Sequence, residues 1–219
     1  MQDRYVRQSG LIDPAIYSTK INIVGAGGIG SFTTLSLAKM GFNNIIVYDF
    51  DTIEEHNLPN QFYREEDLGQ PKVIALNKIV KAFTGTEITT VNDKFNASID
   101  MSPHGVFIPA VDNMETREYV YKSYSRKDNV LGMVDGRMGG QQAEVYTIDF
   151  KNNEDKKQYK SRLWKDSETS PLPCTERAVL YNVLWIASTI ANNVRLLLSQ
   201  LPYKRMQIMD FQNGNLLTM

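Results

Sequence analysis

The chain has 219 residues, 24 Lys and Arg against 25 Asp and Glu, and a formal net charge of −1, so no bulk attraction to nucleic acid or anionic membrane is expected. That length is ample for a real core, as one α/β domain or two small ones. A single cysteine excludes an internal disulfide framework and any Cys-rich zinc site.

The chain opens Met-Gln-Asp-Arg-Tyr without a basic-then-apolar signal region, and the cytoplasm is the simplest compartment. Met1 to Ser18 are polar and read as a solvated arm. Within them Arg4 and Arg7 form a pair that could be delivered to a phosphate, because guanidinium forks match phosphate oxygens.

Lys20-Ile-Asn-Ile-Val-Gly-Ala-Gly-Gly-Ile-Gly30 is the stretch on which the rest is organised. An apolar strand runs into Gly-x-Gly-x-x-Gly. Gly25 permits a tight turn, Gly27 and Gly28 let bare backbone approach a ligand, and Gly30 lets a helix pack on the strand. The helix from Ile29 to about Met40 would aim its amide groups and positive dipole end at a phosphate. A second strand, Asn44 to Asp49, ends in an acid at ribose-binding spacing. This βαβ unit binds a nucleotide, and NAD, FAD and ATP all remain open on it alone.

Asp51 to Gln61 is a polar loop beyond the second strand's carboxyl end, where open α/β sheets bind ligands. Pro71 starts a helix whose apolar positions, Val73, Leu76, Ile79, Val80 and Phe83, are spaced to pack on the sheet. Lys72 in its first turn opposes the helix dipole, which favours phosphate binding over helix stability as its role. Glu87 to Val91 and Gly105 to Val111 read as strands. Asp112 at the end of the latter suits Mg²⁺, which takes one or two carboxylates plus phosphate oxygens, and also suits a cap for a helix over Met114 to Ser123.

Val130 to Asp135 and Gln142 to Phe150 are two further strands, separated by the glycine-rich Gly136 to Gly140. In Lys151 to Ser170 the charges nearly cancel, predicting a solvated crossover loop over about 151–173. Cys174 enters the N-terminus of a long apolar helix with Arg177 nearby, a setting that favours thiolate; packing or capping by an inert cysteine is the competing role. Polar residues Asn182, Ser188, Asn192, Asn193 and Arg195 interrupt that helix, so it is buried and not a membrane span. Met206 to Met219 reads as a hairpin turning at Asn213-Gly214.

Together these pieces resemble the MoeB/ThiF family, the adenylating enzymes that activate ubiquitin-like and sulfur-carrier proteins. The resemblance is carried by Arg4-Tyr-x-Arg7-Gln8, the loop Gly25 to Gly30, Asp49-x-Asp51-x-Ile…Asn57-Leu-x-x-Gln61, Gly69-Gln-Pro-Lys72 and Asp112-Asn113…Arg117, in that order. It implies a Rossmann-like doubly wound α/β sheet, mostly parallel with antiparallel strands in the C-terminal half, as one adenylation domain over 1–219. It implies ATP over Gly27 and Gly28, Asp49 on the ribose, Asp51, Asn57 and Gln61 in the nucleotide segment, Lys72 on phosphates, and Asp112 on Mg²⁺. Arg7 resembles the arginine supplied across a dimer to the partner's ATP, implying a homodimer, and Cys174 lies where relatives form a thioester. The partner implied is a small β-grasp carrier protein.

Two departures stand out. Asn60 occupies the position of a family arginine, with Arg64 as the replacement cation. The Cys-x-x-Cys pairs of bacterial members are missing, so no structural zinc is expected. Two further readings stay in view: adenylation of another peptide or a small substrate, and a nucleotide-binding scaffold weakened in catalysis.

Overall fold

A computed structural model describes residues 2–96, 103–163 and 179–219. Among them the strands form one eight-stranded sheet of order β3-β2-β1-β4-β5-β6-β7-β8. Strands β1 (Ile21–Val24), β2 (Ile45–Tyr48), β3 (Thr89–Val91), β4 (Gly105–Pro109) and β5 (Val130–Gly139) are paired in parallel. Strands β6 (Gln142–Asp149), β7 (Met206–Asp210) and β8 (Asn215–Thr218) continue the sheet in antiparallel fashion from β5. The expected parallel-then-antiparallel doubly wound sheet is what the chain forms.

Every residue of β1 is buried, as befits a central parallel strand covered on both faces. Its one polar member, Asn22, donates to the carbonyls of His104 and Val106. Helices α1 (Gly28–Lys39), α2 (Lys72–Thr84) and α5 (Leu180–Leu198) cover one face, and α3 (Met114–Tyr124) with α4 (Asn153–Lys160) covers the other. A core of Ile21, Ile23, Leu37, Val47, Leu76, Ile108, Ile186 and Ile190 lies on the first face. Aromatic packing dominates the second, with Phe107 stacked on Tyr124 at 4.2 Å and Tyr121 against Tyr159 at 5.3 Å.

Four expectations are corrected. Gly136 to Gly139 do not break the strand, because β5 runs through them to Gly139. A Cβ on Gly136 would sit 2.5 Å from Ile186 and 2.8 Å from Ile190, so this glycine admits α5 against the sheet rather than making a turn. The turn falls at Gly140, with φ +56°.

The segment expected to be a solvated crossover contains α4, whose N-cap Asn152 accepts from the amides of Glu154 and Asp155. Asp155 and Tyr159, one turn apart, are both buried, so the surrounding charges are one face of a docked helix. Residues 164–178 lie outside the described residues, and Cys174 and Arg177 with them.

Phe83 does not join the buried face of α2. It is 58% exposed, packs at a tilt against Phe62 and lies beneath the Lys39 ammonium. Asn113, and not Asp112, caps α3, accepting from Thr116 N at 2.8 Å. The C-terminal hairpin turns over Phe211 to Gly214 as expected, with Gly214 at φ +69° and the Asp210 carboxylate holding the amides of Gln212 and Asn213.

Candidate nucleotide-binding site

Strand order reverses direction at β1: the chain adds β2 and β3 on one side of it and then returns to add β4 and β5 on the other. Ligands in open α/β sheets bind in the crevice beyond the carboxyl ends of the strands at such a point. The glycine loop lies there. Gly25 has φ +99°, and a Cβ on it would fall 2.4 Å from the Ala110 carbonyl oxygen. A Cβ on Gly30 would fall 1.9 Å from the Gly25 carbonyl oxygen, so the turn folds back on its own helix.

Gly27 and Gly28 part company. Among the described residues Gly27 has open space beside it, with only Gln61 Nε2 within reach at 3.9 Å. Gly28 is filled by protein: its Cβ would meet the Asn60 carbonyl oxygen at 2.9 Å and Val183 at 3.2 Å. Close approach by a ligand therefore falls to Gly27, while Gly28 is small so that the 57–61 loop and α5 can pack on it. No side chain caps α1, which leaves its first amide groups for an anion or water.

Asp49 follows β2 and is turned onto the glycine loop. One carboxylate oxygen accepts from Ala26 N at 2.6 Å and the other from Asp51 N at 2.8 Å. Each oxygen keeps a further lone pair, which fits a ribose hydroxyl donating to it. Asn57 is buried and accepts from Glu54 N at 2.9 Å, so it shapes the loop. Gln61 lies beside Gly27, and its buried Oε1 has no hydrogen-bond partner among the described residues. An orphaned acceptor there is a place for a ligand donor.

Lys72 is buried at the start of α2 and ion-paired to Asp51, Nζ to Oδ2 at 2.9 Å. The pairing explains how an ammonium is tolerated against the helix dipole, and it makes Lys72 and Asp51 one unit at the edge of the crevice. Arg64, expected to replace the cation missing at Asn60, is committed elsewhere: its Nε and Nη2 grip the buried Asp67 carboxylate at 2.9 and 3.0 Å. That replacement does not occur, because the fork closes a turn three residues long. Burial raises the Asp67 carboxyl, but the Arg64 side-chain and backbone donors outweigh it and hold the group below the usual carboxylate range.

Asp112 lies just past β4, on the other side of the glycine loop from Lys72, with one long contact from Asn113 at 3.4 Å. A lone accessible carboxylate suits Mg²⁺ shared with phosphates. Among the described residues no cluster of three His, Cys, Asp or Glu could hold a metal unaided. A cavity of about 310 Å³ lies beyond β2, lined by Asp51, Glu54, His56, Asn57 and Lys72, and no residue of the glycine loop lines it.

Arg7 is not in this crevice. It shares a cavity of about 380 Å³ with Arg4, Lys39, Phe83 and Thr84, at the C-terminal ends of α1 and α2. Arg4 donates to the Thr84 carbonyl at 2.5 Å. Since α1 spans about 18 Å from the glycine loop to Lys39, Arg7 cannot serve the site of its own chain in this arrangement.

Two residues of the site escaped the sequence. Tyr63 is buried and donates to Ala26 O at 2.6 Å, bracing the glycine loop from beneath. Burial foremost, then the carboxylates of Asp49, Asp67 and Asp51, push its phenol far up, so it remains a neutral donor. Ser31 Oγ accepts from Phe62 N at 3.0 Å and ties the 57–61 loop to α1. Neither a tyrosine in a polar run nor a serine in a helix stands out by pattern alone.

The fold and this site define a nucleotide-binding α/β protein whose crevice presents helix amides, an anchored carboxylate and a paired lysine. The ThiF family model matches residues 13–218, and the chain belongs to the ThiF family. It is 30% identical over 154 residues to the NEDD8-activating enzyme E1 catalytic subunit of Arabidopsis thaliana, covering 62% of this chain and 33% of that protein. It is 26% identical over 182 residues to the molybdopterin-synthase adenylyltransferase of Salmonella typhimurium, covering 80% of this chain and 71% of that one. The chain thus spans about a third of the eukaryotic relative and most of the bacterial one. E. coli MccB, solved with AMPCPP and MccA, has the same fold: TM-score 0.79, 18% identity, 99% of this chain and 71% of that one covered. Among the described residues no helix is long and apolar enough to cross a membrane.

Proposed function

We propose that the chain adenylates the C-terminal carboxylate of a small ubiquitin-like or sulfur-carrier protein at the expense of ATP. The observation that carries this reading is the glycine loop after β1 with the Asp49 carboxylate turned onto it, flanked by the Lys72–Asp51 pair beyond β2 and by Asp112 just past β4. Membership of the ThiF family and the printed activities of the relatives support it.

On this reading the amides at the start of α1 receive phosphate oxygens over Gly27, and Asp49 accepts from the ribose. Lys72 supplies positive charge beside the triphosphate while Asp51 holds its ammonium in place. Asp112 would hold Mg²⁺, which when bound neutralises phosphate charge. The carrier's carboxylate is already ionised at neutral pH, so no general base is required. Its oxygen attacks the α-phosphorus, the bond to pyrophosphate breaks, and an acyl-adenylate results. Both reactants are anionic, and fixed cations lower the barrier by alignment and electrostatic stabilisation.

Arg7, remote from its own chain's crevice, belongs on this reading to the site of a second copy, making the working unit a homodimer. Cys174 would accept the acyl group: its thiolate attacks the acyl carbonyl, AMP departs, and a thioester forms. Exchange of labelled pyrophosphate into ATP tests the reading. It should require a carrier ending in Gly-Gly and Mg²⁺, survive Cys174→Ala, and fall in Lys72→Ala. ATP binding with no exchange for any carrier would instead mean a nucleotide-binding scaffold.

A further inference from the structure

Beneath the crevice lies a buried charge cluster that the sequence did not reveal. Asp135, on β5, is fully buried and receives Arg117, Arg137 Nε at 2.8 Å and Tyr159 Oη at 2.9 Å. Two guanidinium groups and one phenol thus converge on a single buried carboxylate. Arg117 has a second task. Its Nη1 donates also to the carbonyls of Pro109 at 3.3 Å and Gly136 at 3.0 Å, and its Nη2 donates to the carbonyl of Val111. The Pro109 and Val111 carbonyls lie where β4 enters the turn to α3, the Gly136 carbonyl lies on β5, and Asp112 follows Val111 directly.

We propose that Asp135 and Arg117 are positioning residues that hold the β4–α3 turn so that Asp112 meets the metal–nucleotide. This rests on Asp112 as the Mg²⁺ ligand. The physical ground is geometric. A planar guanidinium can engage a carboxylate and carbonyls on two strands at once, whereas an ammonium on a flexible stem cannot reproduce that fork. Other bonds at the turn, among the described residues, are Ala110 N donating to Val24 O at 2.7 Å and Thr116 N donating to Asn113 Oδ1 at 2.8 Å. Asp112 contributes only its long contact with Asn113. Loss of the Arg117 fork therefore frees the turn while leaving the sheet paired.

The experiment uses Arg117→Lys, which keeps the charge beside Asp135, with Tyr159→Phe as the comparison. Tyr159→Phe removes a bond to the same carboxylate without touching the turn. Amide hydrogen exchange is followed in the ligand-free chain, and binding of a fluorescent ATP analogue is followed while Mg²⁺ is titrated. In Arg117→Lys the amides of Ala110 and Thr116 should exchange on the order of tenfold faster, with a similar rise in the Mg²⁺ needed for half-maximal binding. Binding without Mg²⁺ should be unchanged, and Tyr159→Phe should leave both readings near wild type. Asp135→Glu, which retains the charge and shifts the carboxylate by one methylene, is a second probe read in the same way. The proposal is overturned if exchange at Ala110 and Thr116 does not change, or if Tyr159→Phe moves both readings as far as Arg117→Lys. Failure of the wild type to bind the analogue in any Mg²⁺ concentration would defeat the functional reading instead, and the exchange arm would still test the positioning.

Discussion

Substituting two glycines of the loop one at a time separates what folds the crevice from what binds in it. Gly30→Ala places a methyl carbon 1.9 Å from the Gly25 carbonyl oxygen, which is backbone and cannot swing aside. Overpacking of that kind costs about 1–3 kcal/mol or more, which in a chain of 219 residues lowers Tm by roughly 2–4 °C per kcal/mol. Gly27→Ala meets no atom closer than Gln61 Nε2 at 3.9 Å, and Gly27 has an ordinary φ of −74°. The entropy gained by replacing glycine, about 0.4–1 kcal/mol, offsets the poorer cap that alanine makes. Gly27→Ala should therefore melt within about 2 °C of wild type, yet its methyl occupies the space assigned to phosphate. The assay is thermal melting with and without millimolar ATP and Mg²⁺. Wild type should gain stability with ligand, Gly27→Ala should show none, and Gly30→Ala should be destabilised before ligand is added. A Gly27→Ala protein that melts normally and responds to ATP as wild type does would refute the placement of phosphate over Gly27.

Other substitutions test the supporting contacts. Tyr63→Phe removes one hydrogen bond to Ala26 O, should cost about 1 kcal/mol in denaturant unfolding, and should weaken ATP binding several-fold through the loosened loop. Asn152→Ala should destabilise the chain by about 0.5–2 kcal/mol, whereas a solvated crossover at that position would register no change. Asp67 has a folded-state pKa below its unfolded value. Its contribution to stability is therefore present above the unfolded carboxylate value and lost as pH falls through the folded one. In acid unfolding curves the difference between wild type and Asp67→Asn should be full near neutrality and shrink below about pH 4; a difference constant down to low pH would contradict the Arg64 pairing. Lys72→Gln should leave Asp51 without its ion pair and reduce nucleotide affinity, measured by calorimetry, while Asp51→Asn should do less because the ammonium remains.

The βαβ unit was legible because each part is local. A strand, a glycine turn with a forced φ at Gly25 and a helix with an acid after the next strand all occur within thirty residues. The order of the later elements was legible for the same reason, from hydrophobic runs and turn residues. What failed depended on distant partners. Gly136 looks like a turn until α5 arrives 50 residues later against it. Asp155 and Tyr159 look solvated until Arg205, Tyr203 and Asp135 are placed beside them. Arg64 looks available until Asp67, only three residues on, is seen to be buried in its grip. Phe83 satisfies the helical spacing but meets Phe62 and the Lys39 ammonium instead of the core, and so stays exposed. Arg117 was readable as part of a motif, while its partner Asp135 carried no sign in the chain of being the anchor.

A crystal structure of the chain with ATP and Mg²⁺ decides where the nucleotide sits. Phosphate oxygens are expected within hydrogen-bond reach of the amides at Gly27 and Gly28, with the ribose on Asp49, the Lys72 ammonium beside the phosphates and Mg²⁺ on the Asp112 carboxylate. A nucleotide confined to the cavity beyond β2, with the glycine loop bare and Asp112 free of metal, would contradict this placement.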